Sequence, residues 1–193
     1  MQIAVGACVG DLNMKSAKTI FYGMLLLVMP SFEAIAEPSC AAGGFVLNVG
    51  QAFASASNKG SAAAFMGAAS RYADTRGIAM SALGQHRKKL TRAQEGEYLQ
   101  LAQAFMGRFM AKYAGSFNVT GLKVSTCNGN IISTTASSGK KIIFRVAKGG
   151  GGYRVQDVNV SSVWLASQMR TTFVGVLNRN NGDIRALMKF LKG

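Results

Sequence analysis

Residues 153–192 read YRVQDVNVSSVWLASQMRTTFVGVLNRNNGDIRALMKFLK, and their order of elements decides the fold. Tyr153 to Val160 is rich in β-formers and predicts a strand. Ser161 and Ser162 offer hydroxyls to the free N–H groups that open a helix. Val163, Ala166, Met169, Arg170 and Phe173 then recur at helical spacing. Asn181-Gly182 accepts positive φ and ends that helix. Asp183 can cap a last one, with Ile184, Leu187, Met188 and Leu191 on its apolar face.

Upstream of this stretch the composition is strand-like. Segments Phe117–Val124, Ile131–Ala136 and Lys141–Ala147 are separated by Asn128-Gly129, Ser138-Gly139 and Gly149–Gly152. These are hairpin signals, and they predict an antiparallel meander that ends with the Tyr153–Val160 strand. Ile142, Phe144 and Val146 share one face of the third strand, with Ile143 and Arg145 on the other.

Before the strands come helices. Phe45, Val46, Val49 and Phe53 lie on one face of a helix expected over Gly44–Ala56. Ser61 caps a second over Ala62–Tyr72, and Ile78, Ala82 and Leu83 form a short third, closed by Gly84. Gln85–Lys89 reads as a polar, basic connection containing His86. Thr91 with Gln94 is a capping box. From there Tyr98, Ala102, Phe105, Met106, Phe109 and Tyr113 make the apolar stripe of a long amphipathic helix. The fold class is α+β: N-terminal helices, a curved antiparallel sheet, then two C-terminal helices, with an apolar cavity between sheet and helices.

Several of these signals together resemble the MlaC family of toluene-tolerance or organic-solvent-tolerance substrate-binding proteins. The family's aromatic-basic-Val-x-Asp-Val strand matches Tyr153-Arg154-Val155-Gln156-Asp157-Val158. Its Arg-x-x-Phe helix matches Arg170-Thr171-Thr172-Phe173, its stop matches Asn181-Gly182-Asp183, and its Leu-rich end matches Leu187 to Leu191. Asp74, Leu83-Gly84, Leu90-Thr91, Phe105 and Tyr113-Ala114 match a second block. Ser162-Val163-Trp164 departs from the family's Gly-Val-Ser. The resemblance implies a periplasmic phospholipid carrier without catalytic residues, metal or cofactor. Its implied partners are a phospholipid, an inner-membrane ABC transporter complex bearing a lipid-binding ring, and an outer-membrane lipoprotein complex, with transient contact with membranes. A hopanoid-related ligand fits the same family.

The N-terminus agrees with export. Lys15 and Lys18 precede the apolar run Thr19–Val28, and Ala34-Ile35-Ala36 is a small-x-small cleavage site. Residues 1–36 are expected to be a cleaved signal peptide, with Met14 a candidate true start, and residues 37–193 one lipid-binding domain. The two lysines and two acids of residues 1–36 cancel, so the formal charge of +14 stays on the mature chain. Such a balance favours anionic partners. Export argues against nucleic acid, and no aromatic–basic RNA motif is present. Cys40 and Cys127 are left as a candidate disulfide. One histidine and no Cys-x-x-Cys give no metal pattern.

A carrier needs an apolar pocket more than a reactive group. Burying a methylene contributes about 0.8 kcal/mol, so a lipid with roughly thirty of them resists leaving a membrane bare by more than ~20 kcal/mol. The expected lining is Phe105, Phe109, Tyr113, Ile142, Phe144, Val146, Val163 and Phe173. Each also fits an ordinary core position. Two roles fit Arg170: contact with a phosphate, or an ion pair with Asp157 that locks sheet to helix. Trp164 can plug, line or flank the entrance. Arg87, Lys88 and Lys89 form a basic patch that fits anionic headgroups, a partner or plain solvent. The alternatives to a carrier are a basic secreted module for an anionic polymer and a small periplasmic enzyme using Asp74 or Asp157. No nucleophile elbow supports the latter.

Overall fold

A computed structural model describes residues 40–117 and 119–193. The expected signal peptide, its cleavage site and Met14 lie outside the described residues. Helices α1 (Gly43–Lys59), α2 (Ala62–Tyr72) and α3 (Thr75–Ala82) come first, followed by a 3-10 helix over Gly84–Lys89. The long α4 (Arg92–Lys112) and the single turn α5 (Ala114–Phe117) lead into the strands. These are β1 (Lys123–Asn128), β2 (Ile131–Thr135), β3 (Lys141–Gly149), β4 (Gly152–Val160) and the two-residue β5 (Val163–Trp164). Helices α6 (Leu165–Arg179) and α7 (Ile184–Lys192) close the chain. The α+β class holds, and the sheet is an open antiparallel meander in chain order, β1-β2-β3-β4-β5.

The caps explain most helix boundaries. The Ser61 hydroxyl accepts from Ala64 N–H, and Asp183 accepts from Arg185 N–H. The Gln94 side chain accepts from Thr91 N–H at 3.1 Å, the return half of the capping box. Asn181 (φ 54°) and Gly182 (φ 76°) make the stop between α6 and α7. Gly107 lets α4 approach α2: a Cβ there would come within 2.7 Å of the Ala62 carbonyl oxygen.

The core lies between the helices and one face of the sheet. Ile142, Phe144 and Val146 point into it from β3, where they meet Phe173 and Leu187 in one continuous cluster of buried side chains. On α4 the buried positions are Tyr98, Ala102, Met106, Gly107 and Met110, whereas Phe105, Phe109 and the C-cap residue Tyr113 are half-buried beside them.

Three expectations are corrected. The strand expected over Phe117–Val124 begins only at Lys123, because Phe117 belongs to α5 and stacks on Phe53 (5.5 Å) and Phe65 (5.6 Å). Packing of that ring outweighs its β-propensity. Ser161 and Ser162 do not cap α6. Both have positive φ (51° and 66°) and form the two-residue turn that joins β4 to β5, with Val160 opposite Val163. This is the backbone that a tight hairpin requires. Val163 is therefore a strand residue rather than part of a helix face. The connection over Gln85–Lys89 is helical, and His86 is buried, its Nε2 lying 2.8 Å from Asn178 Oδ1.

Cys40 and Cys127 are joined by a disulfide across 87 residues, tying the start of α1 to β1.

Candidate functional site

Asp157 organises the region where sheet and helices meet. A β-bulge shifts the β3–β4 register between Arg145 and Val146, so Arg145 stands opposite Asp157 while Val146 stands opposite Val155. Gln156 is the extra residue. Asp157 is thereby turned inward and is 4% exposed. Its Oδ1 accepts from Val158 N–H and from Ala166 N–H, both at 2.8 Å. The second of these closes the first turn of α6, a task the serines were expected to perform. Arg145 Nη1 lies 3.8 Å from Asp157 Oδ2, and the same guanidinium stacks on Trp164, 4.6 Å from the ring centroid. The expected Arg170–Asp157 pair is not formed. The bulge gives Asp157 to Arg145, while Arg170 is exposed and passes over Gly84.

Burial raises the Asp157 carboxyl pKa above the ordinary carboxylate value, against the opposing pull of the Ala166 and Val158 N–H groups and of Arg145. The folded state thus binds this proton more tightly than the unfolded chain. The group favours folding fully below its unfolded pKa of about 4, and that contribution is lost as pH rises through the raised folded value. Wild type should therefore lose stability relative to Asp157→Asn as pH climbs from about 3 to 7. Denaturant midpoints of the two proteins across that range test this, and a gap that stays flat or moves the other way refutes it. Asp157→Ala, which removes the cap itself, should cost about 2 kcal/mol.

Two spaces meet at this carboxylate. On the helix side is a narrow apolar cavity of about 40 Å³. Its walls are Phe53 of α1, Ala69 of α2, Ile78 of α3, Met106, Phe109 and Met110 of α4, Val155 and Val158 of β4, and Leu165, Ala166 and Met169 of α6. On the other side is a polar cleft of about 340 Å³, walled by Asp74, Ser81, Arg145, Gln156, Ser167 and Arg170. Ile78, Asp157 and Ala166 belong to both linings. Asp74 is occupied in holding the start of α3, accepting from Gly77 N–H at 2.8 Å.

Of the eight side chains expected to line a lipid cavity, Phe109 is a wall of this apolar space, and Val146 borders a separate surface cleft beside Cys40 and Tyr153. Phe105 and Tyr113 stack on either side of it along α4, with centroids at 5.9 and 5.2 Å. Phe173 is fully buried and packs edge-on against Phe105 at 5.3 Å. Ile142, Phe144 and Val146 are buried elsewhere on the inner sheet face, and Val163 is half-buried in β5. The other lining side chains include three thioethers and three alanines that were not expected there. Met106 and Met169 stood in the apolar stripes, and Met110 sits one turn after Met106, so their periodicity was visible but not their role. Unbranched thioethers adapt to guests of varied shape. The cavity is far smaller than the 300–1,000 Å³ usual for ligand sites, so any sizeable guest must push these side chains apart.

A family model described as MlaC protein matches residues 46–193. Among solved structures, the chain is similar to the phospholipid-binding protein from Ralstonia solanacearum, determined in complex with a phospholipid. The likeness has a TM-score of 0.63 at 18% identity, covering 79% of this chain and 96% of the other. No curated protein matches the sequence.

Proposed function

The chain belongs to the MlaC family, and from that membership we propose that it is a periplasmic phospholipid carrier. It would exchange lipid between an outer-membrane lipoprotein complex and an inner-membrane ABC transporter complex bearing a lipid-binding ring. The observation that carries the reading is the apolar cavity opening beside a polar cleft through Ile78, Asp157 and Ala166. Acyl chains enter between α4, α6 and β4, displacing Met106, Met110 and Met169 and passing Phe109. The headgroup stays in the cleft, where Arg170 is the exposed cation that can meet a phosphate. Arg145 is already engaged with Asp157 and Trp164, and positions the cleft wall. The similar Ralstonia protein, solved with a phospholipid bound, supports the same assignment. In this reading residues 1–36 are the export signal and residues 37–193 the working domain.

Native mass spectrometry of the mature protein, purified from periplasm without detergent, tests the proposal when paired with organic extraction. The expected result is a mass increment equal to one or more phospholipids, with the same lipids in the extract. An apo mass, together with no uptake from liposomes, would sink the carrier reading. It would turn attention to an anionic polymer as the partner of the basic surface.

A further inference from the structure

Phe190 is 43% exposed and is the large apolar side chain left most open among the described residues, although its neighbours Leu187, Met188 and Leu191 are buried. Its ring stands 5.8 Å from Phe105 of α4. From Phe105 the rings continue to Phe109 and Tyr113, and Phe109 is also a wall of the apolar cavity. A track of aromatic rings therefore runs from an exposed position on α7 to the interior site. Cations flank it. Arg108 and Lys112 follow Phe105 and Phe109 by three residues on α4, and Lys189 and Lys192 bracket Phe190 on α7; all four are exposed.

Acids do little to offset this charge. The described residues hold five: Asp74 and Asp183 cap helices, Asp157 is buried, Glu95 pairs with Arg76, and Glu97 pairs with Lys192 at 2.9 Å. We propose that the α4–α7 face, with Phe190 at its centre and Lys112 and Lys189 around it, docks on an anionic lipid bilayer; Arg108, which donates to the Leu191 carbonyl, and Lys192, paired with Glu97, add to the positive field while holding α4 and α7 together. Aromatic rings settle at the headgroup level of a bilayer, and long basic side chains reach the phosphates around them. The charge fits an anionic surface, and the aromatic track leads from that surface to the cavity, which favours a bilayer over a protein occupant. The assignment of the track as a lipid path rests on the carrier reading; the docking itself does not.

Vesicle flotation of the mature chain tests it, comparing phosphatidylcholine vesicles with vesicles that also contain phosphatidylglycerol. Wild type should float with the anionic vesicles and not with the neutral ones. Phe190→Ser should lower partitioning roughly tenfold. Lys112→Gln and Lys189→Gln should each lower it about fivefold, the factor corresponding to ~1 kcal/mol per basic residue at an anionic surface. Lys112 and Lys189 belong neither to the cavity wall nor to the aromatic track, so the phospholipid extracted from Lys112→Gln and Lys189→Gln should equal that of wild type. Failure of wild type to bind anionic vesicles, or equal binding by all three variants, overturns the proposal. If wild type carries phospholipid but the variants float unchanged, the face is wrong and the carrier reading stands. If no phospholipid is carried and the variants still lose binding, the carrier reading falls and the face stands.

Discussion

Replacing Cys40 and Cys127 by serine should lower the free energy of unfolding by about 4 kcal/mol. The bond closes a loop of 87 residues that contains α1 to α5 and most of β1. A cross-link of that span removes roughly 4–5 kcal/mol of chain entropy from the unfolded chain, more than a short one does. Domains of this size are stable by roughly 5–15 kcal/mol, so the double variant would keep only part of its margin. The loss should fall first on the packing of α1 on β1, where Gly43 and Val124 lie beside the disulfide. Urea unfolding of wild type with and without reductant, set against the double serine variant, measures the effect. A shift of less than about 1 kcal/mol would show that the disulfide is dispensable.

Ala166→Phe should abolish lipid carriage while leaving the protein folded. Ala166 belongs to both the apolar cavity and the polar cleft, so in the proposed carrier a ring there occupies the junction between acyl chains and headgroup. Its N–H, which donates to Asp157, is untouched by the change, so the start of α6 is kept. Overpacking costs ~1–3 kcal/mol, and a guest would have to overcome that cost on entry. Phospholipid per protein should therefore fall by a factor of roughly 10 to 100. Organic extraction with lipid phosphate assay reads the loss, and thermal unfolding reads whether the fold survives. A folded variant with a full complement of lipid would refute the assignment of the junction.

Much of this fold was legible in the sequence because its signals were local. The hairpin turns, the Ser61 and Asp183 caps and the Asn181-Gly182 stop each act within a few residues, and the structure has them where the sequence puts them. The errors arose where distant parts decide. Phe117 has strand propensity, but Phe53 and Phe65 hold it in a helical turn. Ser161-Ser162 resembles a cap, but strand pairing makes it a turn. Arg145 escaped attention because ordinary alternation from the Gly149–Gly152 turn places it opposite Gln156; only the bulge brings Asp157 there. The site was half legible for a different reason. Residues that wall a narrow cavity and residues that fill a core share the same periodicity, so Phe109 and Phe144 look alike in the sequence. What separates them is the thioether side chains and alanines around Phe109, a matter of packing rather than pattern.

The meander has a consequence for the order in which the chain acquires structure. Every strand pairs with its neighbour in sequence, so the sheet needs only short loop closures and can assemble from residues 123–164 alone. The helices that pack on it are made earlier. The joint between α2 and α3 has no strand to fasten to until β4 emerges, where Asp74 N–H donates to the Val155 carbonyl at 2.9 Å. Ribosomes add roughly 5–20 residues per second, so that joint waits several seconds for its partner. The N-terminal half therefore cannot lock into its final form before the last strands exist, whatever the helices have already formed on their own.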